Sequence, residues 1–334
     1  MADPLDEPHL LRVNNLQVSF ATPKGVVTPV RDVSFHVGRH ETLGIIGESG
    51  CGKSVTAQAL MGLLTPRTSR VDGEIILSGE RLDVLSSGTR RRRSGRDIAM
   101  IFQDPLSSLN PVFTIGFQIE ESLRLHTSLK RQQRREKVIS LLEQVGIPEP
   151  ARCASAYPHE LSGGMRQRVM IAIAVSNSPS LLIADEPTTA LDATIQAQIL
   201  DLLDDIKRQS AMGIVIITHD LSVVARLCQR VVVLYAGQVV EETDVVTLFQ
   251  HPRHPYTRAL LAARPSAGRE PKSRLDEIRG SVPALDALPQ GCAFAGRCSR
   301  ATTRCLEDSP PLRMLGGATH QVRCWYAENT GSPS

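Results

Sequence analysis

The strongest indication of the fold of this 334-residue chain is the stretch Gly47-Glu-Ser-Gly-Cys-Gly-Lys-Ser54. It lies between an apolar run at residues 41–46 and a segment with helical spacing at residues 54–64. Glycines let successive backbone N–H groups converge on a phosphate, and a following helix directs its positive N-terminus at the same anion. Because strand, glycine-rich loop and helix occur in this order, we interpret the stretch as a phosphate-binding loop rather than a chance glycine-rich turn.

Residues at the end of this loop and at the end of a later apolar run suit a magnesium–phosphate site. Lys53 offers a cation to the β- and γ-phosphates of a nucleotide, and the hydroxyl of Ser54 is a ligand for Mg²⁺. The run Leu181-Leu-Ile-Ala-Asp185-Glu186 predicts a buried strand whose carboxyl end presents Asp185 beside the loop. Glu186 is then the candidate base that poises a water for attack on the γ-phosphate. The alternative for both carboxylates is a solvated turn.

The order of the remaining segments predicts an α/β fold. Residues 1–110 are rich in strand-like patterns, and residues from about 114 to 178 are predominantly helical. Strands and helices then alternate, with strands at 180–184, 213–217 and 230–234 and helices at 195–208 and 221–227. This order favours a parallel sheet covered by helices, with a helical insertion. Residues 265–289, rich in Pro, Arg and Gly, are typical of a linker.

Composition and charge exclude several classes of protein. The chain has 38 Lys and Arg against 35 Asp and Glu, and aromatic residues make up 4%, so neither charge nor stacking favours a nucleic-acid partner. It contains no apolar run of about 18 residues, and its acidic N-terminus lacks the pattern of a signal peptide. We therefore expect a protein that folds and stays in the cytosol.

One further motif resembles a known family. Leu161-Ser-Gly-Gly-Met-Arg-Gln-Arg168 lies shortly before the Asp185 strand and opens a helix. Together with the phosphate loop it resembles the signature sequence of ATP-binding cassette (ABC) ATPases, and the resemblance covers residues 10–262. Other landmarks of that family occur in order, namely Phe20 at the place of the aromatic residue that stacks on adenine, Gln103, Thr189-Ala-Leu-Asp192 and His219.

The resemblance implies a fold, a site and a dimer. The implied fold is a P-loop NTPase cassette at residues 1–262, with a RecA-like core, an antiparallel β-subdomain and a helical subdomain. The implied ATP contacts are Phe20, Gly47, Ser49, Gly50, Cys51, Gly52, Lys53, Ser54, Val55, Gln103, Ser162, Gly163, Gly164, Asp185 and Asp192. The implied Mg²⁺ ligands are Ser54, Gln103 and Asp185, and the implied catalytic residues are Lys53, Gln103, Glu186 and His219. In the family, the signature residues bind the γ-phosphate of a nucleotide on the opposite subunit, so two cassettes enclose two ATP molecules.

Four of the seven cysteines crowd the C-terminal region, with the spacing Cys292-x5-Cys298-x6-Cys305-x18-Cys324. Four soft ligands on a polar segment that cannot form its own hydrophobic core favour a metal ion or cluster. The intervals are wider than the cysteine pairs of regular zinc sites. An iron–sulfur cluster and structural Zn²⁺ both stay open, beside the alternative of four unligated thiols.

The surroundings of these cysteines resemble a second family feature. Residues 252–261, 280–283, 291–298 and 323–325 are similar to the C-terminal extension of oligopeptide/dipeptide-importer ATPases. This resemblance covers about residues 250–326, within a small extension at 263–334. It implies that Cys292, Cys298, Cys305 and Cys324 hold a [4Fe–4S] cluster.

Together the two resemblances imply the ATP-hydrolysing subunit of a peptide importer, peripheral at the cytoplasmic face of the inner membrane. The implied partners are a second homologous ABC ATPase, two transmembrane permease subunits that meet the helical insertion at residues 114–158, and an extracytoplasmic solute-binding protein. One alternative is a related importer for another solute, such as nickel or a glycoside. The other is a soluble ABC ATPase acting in DNA repair or on ribosomes, which generally carries two cassettes or a long coiled coil.

Overall fold

Strands and helices alternate along the chain much as the sequence predicts. A computed structural model describes residues 9–23, 25–189, 191–263, 278, 280–315 and 319–327. The strands are β1 (Leu11–Thr22), β2 (Gly25–Val37), β3 (Thr42–Ile46), β4 (Ser69–Leu77), β5 (Glu80–Arg81), β6 (Ile98–Ile101), β7 (Leu181–Asp185), β8 (Gly213–Thr218), β9 (Arg230–Tyr235), β10 (Gln238–Asp244), β11 (Arg313–Met314) and β12 (Gln321–Val322). The helices are α1 (Lys53–Met61), α2 (Ser87–Arg93), α3 (Pro105–Ser108), α4 (Ile115–His126), α5 (Arg131–Gln144), α6 (Pro150–Ser155), α7 (Gly163–Val175), α8 (Ala193–Gln209), α9 (Leu221–Leu227), α10 (Val245–Gln250), α11 (Pro255–Ala262) and α12 (Thr303–Glu307).

Contacts divide the described residues into two compact units. The first contains the chain up to Leu11 together with residues 37–42 and 76–217, and the second contains residues 12–36, 43–75 and 218 onward. Ala190 and most of the expected linker, residues 265–277 and 279, lie outside the described residues. Within the described ranges, the helices are all too short or too polar to cross a bilayer.

The first unit holds three parallel strands and the helical insertion. Strand β7 lies between β6 and β8, with Leu181 opposite Ile98 on one side and Gly213 on the other. Every residue of β7 is buried, which is expected for a parallel strand covered on both faces. Helices α4, α5 and α6 pack against one another, and α4 and α5 also pack against α7. In α4, Ile115, Ile119 and Leu123 form the buried stripe that a helix on a core requires.

The second unit contains a sheet in which β3 pairs in parallel with β9, and Leu43 stands opposite Arg230. Strand β9 also pairs antiparallel with β10, β10 with β12, and β12 with β11, which gives the order β11-β12-β10-β9-β3. In another sheet the order is β2-β1-β4, and its strands lie within residues 1–110, where strand-like patterns were predicted. In β1 the alternation of buried side chains shifts at Asn15, which has a φ of 49°.

The C-terminal segment belongs to the core of the second unit. The sequence of this segment is polar, and it has too few apolar residues to form a hydrophobic core by itself. In the structure Phe294 is buried among Tyr235 and Tyr256, with ring centroids 5.2 and 5.5 Å away. Val322 in β12 pairs with Glu241 in β10. This segment therefore obtains its hydrophobic environment from elements more than 30 residues earlier, which no local pattern reveals.

Candidate nucleotide site

The phosphate loop connects β3 to α1, as predicted. Gly52 is the N-cap residue of α1, with a φ of 102°. A Cβ at Gly52 would lie 2.3 Å from the carbonyl oxygen of Pro29, and one at Gly47 would lie 2.2 Å from that of Leu234. Both positions therefore require glycine, because the loop passes directly against backbone.

Lys53 and Ser54 differ in how far their side chains are exposed. Lys53 is 7% exposed, and its Nζ donates to the carbonyl oxygens of Gly47 at 2.7 Å and Glu48 at 3.0 Å. The ammonium group is thus held inside the loop. Ser54 is exposed in the first turn of α1, where its hydroxyl is accessible to a metal ion at a helix N-terminus.

The other predicted residues of the loop also differ in how far they are exposed. Ser49 and Gly50 are exposed, and Val55 is half-buried. Cys51 is fully buried, and this burial raises the pKa of its thiol above the usual value. Cys51 is therefore a packing residue of the loop, while the exposed positions present the loop backbone to a ligand.

Glu48 is a functional residue of the loop that the sequence reasoning missed. Its carboxylate accepts two hydrogen bonds from Arg297, at 2.6 Å from Nη1 and 3.0 Å from Nη2. Its backbone N–H donates to the hydroxyl of Tyr256 at 2.8 Å. The hydrogen bonds to Glu48 raise the pKa of Arg297 above its usual value, so this arginine is charged at every pH of interest. No sequence pattern joins these residues, because more than 200 positions separate them.

The carboxylates of the first unit stand at the carboxyl end of β7, as predicted. Asp185 is the last residue of that strand and is 5% exposed. Glu186 follows with a left-handed φ of 50°, and its N–H donates to the carbonyl of Ile217 at 2.8 Å. Glu186 therefore leaves the extended conformation of β7 directly after Asp185.

Two side chains hold the carboxylate of Glu186. Nε2 of Gln103 donates to Oε2 at 2.8 Å, and the hydroxyl of Thr189 donates to the same oxygen at 2.9 Å. The contact with Gln103 brings together two residues that were predicted separately. Thr189 was predicted only as part of the Thr189–Asp192 motif, and its bond to Glu186 is new.

The signature residues form the start of α7. Ser162 is the N-cap residue, and its hydroxyl accepts a hydrogen bond from the N–H of Met165 at 3.3 Å. A Cβ at Gly163 would meet no atom within 4 Å, so this helix end is open to a ligand. Asp192 caps α8 by accepting from the N–H groups of Thr194 and Ile195, which gives it a clear structural role.

His219 and Phe20 both belong to the second unit. His219 is exposed directly after β8. Phe20 lies on β1, half-buried, and lines a shallow cavity of about 480 Å³ with residues 66–70 and 72. Their expected roles in catalysis and adenine stacking stay predictions.

The four C-terminal cysteines line one cavity, together with His254 and Phe294. Burial and the neighbouring thiols raise the pKa of Cys292 to about 11, and burial also raises the pKa values of Cys298 and Cys324. The thiols of Cys292, Cys298 and Cys324 therefore favour the protonated form, and a metal would have to displace those protons. A soft metal suits this donor set. As the side chains are placed in the described residues, however, no group of three or more His, Cys, Asp or Glu forms a metal-ligand arrangement.

Two family models and many curated proteins match this chain. The family model described as "ABC transporter" matches residues 30–189, and that described as "Oligopeptide/dipeptide transporter, C-terminal region" matches residues 240–305. A probable peptide ABC transporter ATP-binding protein from Sinorhizobium fredii is 50% identical over 95% of this chain and 94% of its own length. The dipeptide transport ATP-binding protein of Escherichia coli is 46% identical over 97% of this chain and 99% of its own length.

Solved structures resemble the cassette part of the chain. A dimeric ATP-binding cassette in a post-hydrolysis state, with ADP and phosphate bound, is 26% identical, with a TM-score of 0.64. The match covers 70% of this chain and 98% of that one. A second dimeric bacterial ABC transporter cassette matches with 27% identity and a TM-score of 0.63, over the same shares of the two chains.

Proposed function

Since this chain belongs to the family of ABC transporter ATP-binding proteins, we propose that it hydrolyses ATP to drive uptake of di- or oligopeptides through separate permease subunits. The observation that carries the peptide assignment is the 46% identity to a dipeptide transport ATP-binding protein, which extends over 97% of this chain and 99% of the relative. The match includes the C-terminal region. Nickel and glycoside import, and a soluble non-transport ATPase, are therefore not favoured.

Different residues of the site bind the phosphates and the magnesium ion. Lys53 and the backbone of the phosphate loop bind the β- and γ-phosphates, and the N-terminus of α1 adds its positive dipole. Ser54, Asp185 and Gln103 are the residues that would hold Mg²⁺. The amide nitrogen of Gln103 donates to Glu186, so its carbonyl oxygen is the atom of this side chain that would bind the ion. When bound, Mg²⁺ neutralises charge on the phosphate oxygens.

Glu186 acts as the general base of hydrolysis. Its carboxylate accepts a proton from a water molecule while the water oxygen bonds to the γ-phosphorus and the bond to the ADP oxygen breaks. The products are ADP and phosphate. Gln103 and Thr189 hold the carboxylate, so they fix the direction from which it takes the proton. His219 is assigned to the γ-phosphate by family resemblance.

A second cassette completes each ATP site. The open helix N-terminus at Ser162–Gly164 is suited to an anion, and in this proposal it binds the γ-phosphate of an ATP held by the partner cassette. The dimeric cassettes among the similar structures support this arrangement. We assign the partner cassette to a second, homologous ATPase, with Phe20 stacking on adenine and Asp192 at the subunit boundary.

The helical insertion is the proposed contact with the permease subunits. A groove of about 520 Å³ runs between α4, α5 and α6 and is lined by Phe117, Val138 and Ile139. Phe113 and Phe117 stack with their ring centroids 4.6 Å apart and are both about 40% exposed. An exposed aromatic pair beside a groove is suited to a partner element. This contact would place the subunit at the cytoplasmic face of the membrane, with a solute-binding protein on the other side.

The four cysteines are the proposed ligands of a [4Fe–4S] cluster, with structural Zn²⁺ as the alternative. The support is the convergence of Cys292, Cys298, Cys305 and Cys324 on one cavity and the softness of thiolate ligands. Binding would require the thiols to lose their protons and to move into a ligand shell. The role that we assign to the cluster is to stabilise this segment, which has little hydrophobic core of its own.

Detergent pull-down followed by a solute-stimulated ATPase assay tests the function. We expect the tagged chain to purify with two membrane proteins and a second ATPase. ATP hydrolysis by this complex should rise when a peptide-loaded solute-binding protein is added. Stimulation by nickel or a glycoside but not by peptides would refute the assigned solute, and purification with nucleic acid instead of membrane proteins would refute the importer.

A further inference from the structure

Three side chains form hydrogen bonds with Glu48. Arg297 and Tyr256 lie more than 200 positions away in the sequence, and Lys53 belongs to the same loop. Arg297 binds its carboxylate with two nearly parallel hydrogen bonds of 2.6 and 3.0 Å. Tyr256 accepts its N–H at 2.8 Å, and Lys53 donates to its carbonyl at 3.0 Å. This residue therefore has little freedom, although it lies in a loop that must keep its backbone N–H groups aimed at a phosphate.

Arg297 is itself fixed. Its side chain is 7% exposed, and it also donates to the hydroxyl of Tyr235 at 3.3 Å and to the carbonyl of Ile278 at 3.2 Å. It ends a 3₁₀ turn that begins at Ala295, directly after the buried Phe294. A two-pronged arginine–carboxylate pair with a buried arginine has the geometry in which such pairs are strong and directional.

The ion pair between Arg297 and Glu48 also neutralises a negative charge in the phosphate loop. The loop binds the polyanionic end of a nucleotide, yet Glu48 places a carboxylate within it, and this side chain is only 25% exposed. An unpaired negative charge at this depth would repel the phosphates, because the water available to screen it is limited. Arg297 supplies the opposite charge at hydrogen-bond distance from both oxygens of the carboxylate.

We propose that Arg297 is a positioning residue for ATP binding. Through Glu48 it fixes the backbone of the phosphate loop and cancels an acidic charge beside the nucleotide phosphates. The inference rests on the ATP-binding function proposed above and gives the C-terminal segment a direct part in it. A purely structural arginine would instead affect the stability of this segment and leave the affinity for nucleotide unchanged.

A double-mutant cycle in the full-length chain separates these two roles. Arg297→Met keeps the aliphatic volume against Tyr235 and removes the charge, Glu48→Gln removes the partner charge, and the double variant removes both. Arg304→Met is the matched control, because Arg304 lies in the same segment but stacks on Trp325, with its Cζ 3.7 Å from the ring centroid. The probe is a non-hydrolysable ATP analogue with Mg²⁺, titrated by calorimetry.

We expect Arg297→Met to raise the Kd of the analogue about 10-fold, because the freed carboxylate opposes the phosphates. The double variant should return to within about 3-fold of the unaltered chain, and Arg304→Met should stay within about 2-fold. In the assembled complex Arg297→Met should raise the KM for ATP with little change in kcat. A restored affinity in the double variant is not expected from a structural role, because that variant also lacks the ion pair.

Two results would overturn the proposal: an unchanged Kd for Arg297→Met, or a double variant that binds as weakly as Arg297→Met alone. Where Arg297→Met fails to fold, Arg297→Gln with and without Glu48→Gln answers the same question. Glutamine keeps a hydrogen-bond donor and loses the charge, so the freed carboxylate again opposes the phosphates, and a rise of about 10-fold in Kd that Glu48→Gln reverses is expected. No rise, or one that Glu48→Gln does not reverse, would overturn the proposal. If the unaltered chain binds no analogue, the proposed function fails rather than this inference.

Discussion

Gln103 and Glu186 are joined by a hydrogen bond of 2.8 Å from Nε2 to Oε2. Each residue follows one of two neighbouring parallel strands, β6 and β7, so the topology brings both to the same edge of the sheet. Thr189 donates to the same oxygen at 2.9 Å. Two side chains therefore hold the carboxylate of the candidate base in place.

Replacing the base should separate ATP binding from ATP hydrolysis. Glu186→Gln keeps the size of the side chain but cannot accept the proton from water, so we expect hydrolysis to fall by about 10²- to 10⁴-fold. Binding of ATP should persist, and the cassettes should accumulate as an ATP-bound dimer. Size-exclusion chromatography with ATP and a phosphate-release assay measure both effects. Rapid turnover by this variant would remove Glu186 from the role of base.

The hydroxyl of Thr189 should affect the rate of hydrolysis and not the affinity for ATP. Thr189→Val keeps the shape but loses the bond to Glu186, and we expect kcat to fall about 5- to 10-fold, the equivalent of one ordinary hydrogen bond. Thr189→Ser retains the donor and is the matched control. Equal kcat values for the valine and serine variants would show that this contact plays no part in positioning the base.

Lys53 is expected to be necessary for nucleotide binding. Lys53→Ala removes the ammonium group that the loop encloses, and we expect ATP binding to fall below detection at millimolar concentrations, since the phosphates lose their main cation. Fluorescence titration with an ATP analogue measures this loss. An unchanged affinity would contradict the assignment of residues 47–54 as the phosphate loop.

If the four C-terminal cysteines hold a [4Fe–4S] cluster, the purified protein should contain iron and sulfide. Anaerobically purified protein should contain about four iron and four sulfide per chain, as a [4Fe–4S] cluster requires, and Cys298→Ser should lower both. Cys153→Ser is the control, because Cys153 is buried in α6 and is not among the four cysteines that line the cavity. Zinc without sulfide would favour the structural zinc alternative. Colourless protein without either metal would reject both.

Stability should decline between pH 6.5 and about 4 because of His254. Complete burial lowers the pKa of His254 to about 4, although Glu241 opposes this shift, and Arg323 also faces the ring. The unfolded chain takes up a proton below its ordinary pKa of about 6.5, while the folded chain does not, so the free energy of unfolding falls by up to about 1.4 kcal/mol per pH unit in this window.

Denaturant unfolding at several pH values tests this prediction. His254→Asn keeps a side chain that can cap α11 and removes the titrating group, so its stability should depend less on pH between 6.5 and 4. The exposed His251 in the variant His251→Asn is the control. The same pH dependence in both variants would assign the effect to other groups.

The sequence predicts the parts of the site that depend on local patterns. The phosphate loop, the Asp185 strand and the helix at the signature motif all occur as predicted, because glycine spacing and apolar runs determine local conformation. The partnership of Glu48 with Arg297 was not predictable, since it joins residues 249 positions apart. Phe294 likewise reveals its buried position only when β9 and α11 are in place around it.

The bond between Thr189 and Glu186 shows the same limit at short range. The motif was visible in the sequence, but the left-handed turn at Glu186, which brings its carboxylate to the Thr189 hydroxyl, is not encoded by a glycine. A non-glycine residue adopts such a φ only where surrounding contacts enforce it, and here the bond from its N–H to Ile217 contributes. Strain of this kind depends on tertiary structure and leaves no local pattern.

Uptake of a radiolabelled dipeptide into vesicles that contain the complete complex is the decisive measurement for peptide import driven by this ATPase. With ATP on the side of this subunit and the solute-binding protein on the other, we expect the dipeptide to accumulate with the unaltered chain. With Glu186→Gln we expect only background uptake. Equal, ATP-independent uptake with both chains, or ATP hydrolysis without any peptide transport, would refute ATP-driven peptide import by this complex.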